Sequence, residues 1–348
     1  MKNNKGITVI ALIITIIVMI ILAGVAISMI DGENGVITKA ENAKVLQEKI
    51  DIKEKIELTA SACIIENEGA PIELGQLEDK LGNEYFVKEV EGKKDTINNT
   101  MIYLNEFLVW DKEKYAFYID EKGKVHELKI IDSNENGKEF EWKVREDLNP
   151  PKIINLKYLD SEYEGFVQFP DYIRYGNELY EIMTVASHKE YKFSEVVLPM
   201  KLISSANYTF SDCVNLRKIS IGYMRDNISA YMLDGCSNLK EVVFRTEKST
   251  QMEGYVFRNC TSLEYIRLPK YLTHIPNGVF YGCTNLKTII IGEYIDNIIP
   301  AAFTKTNIEK IQINKTAAEI VQKFSSLNVN TYTKGKIYDK DGNKVVFE

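Results

Sequence analysis

Little in this sequence of 348 residues speaks for chemistry. Its three histidines, His126, His188 and His274, are scattered, and none has a second histidine at metal-ligand spacing. There is no C-x-x-C pair, no G-x-x-x-x-G-K phosphate loop, no G-x-G-x-x-G and no G-x-S-x-G. Carboxylates are plentiful, but no pair of them is marked out, and a lone solvated Asp or Glu is usually surface charge. The expectation is a protein that is not an enzyme, with no catalytic, metal or cofactor-binding residues. The formal net charge is -7, and no run of five or more Lys and Arg interrupts the chain. The electrostatic footprint of a nucleic-acid binder is therefore missing. Asp132, Asn134, Asn136 and Gly137 open a D-x-N-x-N-G phrase that suits a hard cation, but the twelfth position, where a bidentate Glu belongs, is Lys143. That stretch reads as a polar hairpin turn. Asp339, Asp341, Gly342 and Asn343 receive the same reading, as a terminal hairpin between Ile337 and Val345.

What the chain does have is a repeat. Phe210, Cys213, Leu216, Ile219 and Ile221 spell F-x-x-C-x-x-L-x-x-I-x-I, and the phrase returns every 23 or 24 residues. It reads as Leu233, Cys236, Leu239, Val242, Phe244, then Phe257, Cys260, Leu263, Ile266, Leu268, then Phe280, Cys283, Leu286, Ile289, Ile291. A last copy, Phe303, Thr306, Ile308, Ile311, Ile313, is one residue shorter. Such periods signify a leucine-rich solenoid, in which one coil cannot bury its apolar side alone and stacking supplies the core. Four of the five cysteines hold the same place in the phrase. They are expected as a column of buried free thiols, because a parallel stack does not give the converging Cβ vectors of a disulfide. No histidine is expected near that column, and Cys63 stands apart.

The repeat resembles the leucine-rich repeats of the BspA type found on bacterial surface proteins. Their unit looks like F-x-x-C-x-x-L-x-x-I-x-I-P-x-x-V-x-x-I. Phe257 to Phe280 is the best copy, with Pro269, Leu272 and Ile275 in place, and Phe193, Val196, Leu198 and Pro199 fit a degenerate one. Val167, Phe169 and Pro170 fit the strand of another, so the resemblance covers about residues 164 to 313. It implies a surface-displayed recognition or adhesion module whose partner is a protein or polysaccharide on host or neighbouring cells.

At the amino terminus, Ile7 to Ile30 runs for 24 residues without a charge, enough to cross a hydrocarbon core ~30 Å thick. Lys2 and Lys5 precede it while Asp31 and Glu33 follow, which places the amino terminus in the cytoplasm and the rest outside. The expected location is the cell membrane, single-pass, with the carboxyl-terminal part on the cell surface. A secretory signal cleaved near Ser28 is the other reading, against which stands the usual apolar length of roughly 7 to 15 residues. The junction at Lys5, Gly6 and Ile7 resembles the class III leader of type IV prepilins. That resemblance implies cleavage after Gly6 by a prepilin peptidase, leaving Ile7 as the new terminus. The family's Glu at the fifth mature position is Ala11 here, which puts contact with neighbouring pilin-like subunits in question.

The spacing of Val45, Ile52, Ile56, Thr59 and Cys63 predicts an amphipathic helix from Val36 to about Ile65. Leu74, Leu77 and Leu81 predict a short second helix stopped by Gly82. Strands are expected at Tyr85 to Val90, Met101 to Leu104, Phe107 to Trp110, Tyr115 to Ile119 and Lys124 to Ile130. Helix followed by an antiparallel meander resembles the pilin-like order; an unrelated α+β spacer fits equally. The fold class is thus α+β and multi-domain: a leader and transmembrane helix (1–30), a pilin-like region (31–149), a leucine-rich solenoid (150–313), and a capping helix and hairpin (314–348). Pro150 and Pro151 mark the expected boundary.

Alternation along each repeat strand points the residues between the inward Leu and Ile positions outward. Val197, Val243, Tyr265, Arg267 and Ile290 are therefore the expected partner-binding residues, with Tyr265 and Arg267 of the kinds favoured at binding hot spots. Scattered surface apolars that need no explanation are the alternative. The runner-up function is a minor type IV pilin-like subunit carried in a surface fibre.

Overall fold

The computed structural model describes residues 36–67, 72–90, 95–97, 100–102, 106–111, 115–120, 123–245, 250–324 and 335–347. Gly6, Ile7 and the apolar stretch 7–30 lie outside them. Among the described residues no helix is long and apolar enough to cross a membrane. The described residues fall into two compact units, one built mainly from residues before 128 and one mainly from those after it.

In the first unit, helix α1 (Val36–Glu66) buries Ile56, Ala60 and Cys63, at the three- and four-residue spacing of a single helix face. Val45 is 41% exposed, so the buried stripe is confined to the second half of the helix. There α2 (Leu74–Leu81) packs against it, burying Leu77 and Leu81. Gly82 ends α2 at φ +73°, its N–H on the Glu78 carbonyl. Tyr85–Val90 pairs antiparallel with Glu106–Asp111, and Ala116–Ile119 and Val125–Leu128 complete a four-stranded sheet. Phe86 and Trp110 are register partners with stacked rings 5.4 Å apart. Two expectations are corrected here. Thr100–Ile102 belongs to a separate hairpin with Asp95–Ile97, and the run from Lys124 to Ile130 is split. Its end, Ile130–Asp132, pairs parallel with Tyr172–Tyr175 in the second unit.

In the second unit Phe140–Arg145 runs antiparallel to Lys152–Tyr158. Pro150 and Pro151 lie in the connection between those paired strands, not at the division between units. The D-x-N-x-N-G stretch is also not a hairpin, because the strands on either side of it belong to different sheets. The Asn136 carboxamide instead bonds both backbone groups of Trp142, which turns the chain from one sheet to the next.

From Phe166 the chain coils. Val167, Val196, Ile219 and Val242 align in one parallel ladder, and Ile266, Ile289 and Ile311 in another. Inside the coils runs a ladder of large side chains: Phe210, Leu233, Phe257, Phe280 and Phe303, all essentially inaccessible. Phe257, Phe280 and Phe303 stack at 5.5 and 6.0 Å with nearly parallel planes. The first rung is His188, fully buried and stacked on Phe210 at 5.5 Å. This corrects the expectation that no histidine lies near the cysteine column. Two residues past each rung the backbone is left-handed, at Glu190, Asp212, Gly235, Asn259, Gly282 and Lys305. At Gly282 a Cβ would meet the Asn259 Oδ1 at 2.5 Å, so a side chain there would have to displace that carboxamide.

The cysteines have a role beyond filling space. Each thiol donates to the carbonyl of the rung residue one coil earlier: Cys213 to His188, Cys236 to Phe210, Cys260 to Leu233 and Cys283 to Phe257, at 2.9 to 3.2 Å. The phrase therefore wants a small apolar side chain that still carries a donor. Burial pushes the Cys213 and Cys283 thiols up to about 12, and those of Cys236 and Cys260 well up from the ordinary value. In the native protein the four column thiols should resist iodoacetamide at mildly alkaline pH and react together once urea unfolds the coils. Rapid native labelling of any of them would contradict the column.

At the far end, α3 (Ala317–Phe324) starts from a capping box in which Thr316 and Glu319 bond reciprocally. Ile337–Tyr338 then adds a parallel strand beside Lys310–Ile313. The turn after it is organised by the Asp339 carboxylate, which accepts the N–H groups of Asp341 and Asn343, and Val345 N–H returns to the Ile337 carbonyl. The terminal hairpin expected from Asp341 and Gly342 is present.

Candidate binding groove

The repeat strands do not form one continuous sheet. The strand Glu241–Phe244 closes the first ladder and Tyr265–Arg267 opens the second, with no ladder pairing between them. The sequence spacing also changes at this point. From Ile221 to Ile228, Leu268 to Ile275 and Ile291 to Ile298 the chain takes seven steps, but from Phe244 to Met252 it takes eight. One coil carries an extra residue after its strand. The residues at the break are affected: Val242 and Phe244 are half-buried, whereas Ile219, Ile221, Ile266 and Ile289 are essentially inaccessible.

A groove of about 730 Å³ opens over this break. Val243, Phe244 and Ile290, all half-buried, contribute apolar surface. Tyr265, 45% exposed, and the exposed Arg267 stand on the strand that opens the second ladder. Lys240 and Glu241 come from the start of the strand before the break, Gln312 and Asn314 from three coils further on, and Lys340 from the terminal turn. Glu241 is tied to Lys218 at 3.2 Å and Lys270 lies 3.8 Å from Glu293, but no ion pair involves Lys240, Arg267 or Lys340 among the described residues.

Four of the five residues expected at the binding face, Val243, Tyr265, Arg267 and Ile290, thus line one groove. Val197 does not. It is half-buried beside Ser220 in the first ladder. Gln312, between the inward Ile311 and Ile313, lies on the outward face that strand alternation gives, whereas Lys240 and Lys340 were missed because they lie outside the repeat strands. Two other charged or aromatic clusters are structural. Asp171 is buried and accepts the N–H groups of Lys129 and Met200 at 2.7 and 2.5 Å; desolvation raises its carboxyl to about 6. Tyr208, Tyr231 and Tyr255 stack at 4.7 and 5.0 Å, with the Arg258 guanidinium over Tyr231 and bound to Asp234.

The coils and the parallel ladders define a leucine-rich repeat solenoid. Residues 171–283 and 204–331 match the BspA type Leucine rich repeat region, in six copies, so the second unit carries a repeat region of that type. No curated protein matches the chain significantly in sequence. Among solved structures, it is similar to a leucine rich cell surface protein from Faecalibacterium prausnitzii A2-165 (16% identity, 59% of this chain and 54% of that one, TM-score 0.41). It is also similar to a leucine rich repeat protein of T. pallidum (20%, 51% and 69%, TM-score 0.35). A leucine-rich repeat protein from Bacteroides ovatus ATCC 8483 is a further relative in structure (20%, 51% and 58%, TM-score 0.34). The chain spans about half the length of the Faecalibacterium structure.

Proposed function

We propose that this is a non-enzymatic bacterial surface protein that recognises a macromolecular partner through the strand face of its repeat region, tethered to the membrane by residues 7–30. The observation that carries the reading is the groove, which gathers an exposed aromatic side chain, a guanidinium outside any ion pair of the described residues and apolar surface on one face of a rigid stack. The BspA-type repeat region supports a role in contact with host or neighbouring cells. Tyr265 and Arg267 are exposed, so replacing both by Ala is expected to leave the unfolding midpoint nearly unchanged. Binding of the labelled full-length chain to target cells should fall roughly tenfold or more. Equal binding by parent and double variant would remove the groove from this role.

A second reading has its own support. In the first unit, Leu46 and Ile50 lie one turn apart on α1 and are 55% and 39% exposed, as a helix meant for neighbouring subunits would leave them. A minor pilin-like subunit, cut after Gly6 by a prepilin peptidase, would present them in a fibre. Mass spectrometry of the amino-terminal peptide from sheared surface material separates the two: a start at Ile7 favours the fibre, an intact Met1 confined to membranes the tether.

A further inference from the structure

We infer that the occupant of the groove is an acidic peptide segment of a partner protein, its carboxylates on Lys240, Arg267 and Lys340 and its apolar side chains on Val243 and Ile290. The inference rests on the reading of the strand face as the recognition surface and adds the chemistry of what it takes. Charge is the first argument. The chain as a whole is at -7, yet this groove exposes three cations that form no ion pair with an acid of the described residues, and its one carboxylate, Glu241, is held by Lys218. Cations left without partners on an acidic protein favour a negatively charged ligand and raise its rate of encounter.

The floor decides between anionic ligands. Val243, Phe244 and Ile290 offer apolar surface, which gains free energy only when apolar atoms cover it. An acidic polysaccharide satisfies the cations but brings hydroxyls to that floor, each losing water without a partner. A peptide that alternates acidic and apolar side chains satisfies both. The scale fits as well. From the strand after Lys240 to the strand before Lys340 there are four coil steps, roughly 20 Å at sheet spacing. An extended segment of about six residues covers that distance.

Selection of a displayed random peptide library on the immobilised full-length chain tests this. Enriched peptides should alternate Asp or Glu with apolar residues. A synthetic peptide of the enriched sequence should bind more weakly as salt is raised. Its affinity should drop roughly tenfold or more with Arg267→Glu or Lys240→Glu, and stay unchanged with Lys143→Glu on a strand outside the groove. Enrichment without an acidic excess, or indifferent to Arg267→Glu, overturns the inference. So does saturable binding of polygalacturonate that Arg267→Glu abolishes while no acidic peptide is enriched; that result keeps the strand face and reassigns its ligand to a glycan. Loss of the face itself is read separately, from cell binding that the Tyr265→Ala, Arg267→Ala variant leaves intact.

Discussion

Acidification from pH 7.5 to 4 is expected to destabilise the parent protein by about 3 kcal/mol more than it destabilises His188→Phe. Burial, with a smaller push from Lys157, lowers the His188 imidazole from 6.5 to about 4. Its bonds explain why it stays neutral. Nδ1–H donates to the Ala186 carbonyl at 2.7 Å, and Nε2 accepts the Tyr158 N–H at 2.8 Å, so a second proton would face a donor inside the aromatic ladder. The sign follows. A histidine whose folded value is depressed contributes stability that is fully present above 6.5 and is lost as pH falls towards 4. Asp171, raised to about 6, works in the opposite direction, but it is common to both proteins and cancels in their difference. At pH 7.5 the Phe variant should be the weaker by about 1–3 kcal/mol, because the Tyr158 N–H loses its acceptor. The two stabilities should then converge or cross near pH 4. Urea unfolding of both proteins across this range measures the difference, and a pH-independent gap would show that His188 does not titrate as its surroundings dictate.

Phe280→Ala should cost about 3–5 kcal/mol. The ring is inaccessible and sandwiched between Phe257 and Phe303, so truncation opens a cavity between two stacked faces. Because a solenoid coil touches only its neighbours, the damage should be local before it is global. Cys283, whose thiol reaches back to the Phe257 carbonyl, should then be the first of the column to accept iodoacetamide. Phe280→Leu should cost about 1 kcal/mol, since another coil already fills this rung with Leu233. A loss below about 1 kcal/mol for the Ala variant would mean the coils close over the gap, and the ladder would not be the source of their stability.

The repeat positions were legible because they recur together. Ile219, Ile266 and Ile289 had to share one inner side, and all three are buried in one continuous core. The degenerate coil was legible from Phe193, Val196 and Leu198 but not in its first rung, because His188 does not look like a Phe until its backbone is seen donating to Thr209 in step with Phe210 donating to Met232. The left-handed turn two residues past each rung had a readable trace in Asp212, Gly235, Asn259 and Gly282, residues that tolerate positive φ. Split strands such as Val125–Leu128 and Ile130–Asp132 left none. A run of alternating side chains carries no mark of the point where it changes partners.

The sequence by itself determined the period, the inward residues, the column of buried thiols and the outward positions of Tyr265 and Arg267, since each follows from local spacing repeated down the chain. Tertiary structure alone decided that the ladder is broken between Glu241–Phe244 and Tyr265–Arg267, that four outward residues meet in one groove, and that Lys240 and Lys340, 100 positions apart, share its edge. The physical reason is that a repeat fixes what each coil buries, whereas pairing between successive strands depends on how whole coils pack, which no single repeat position encodes. Between Glu241–Phe244 and Tyr265–Arg267 that pairing is missing, and the groove opens there.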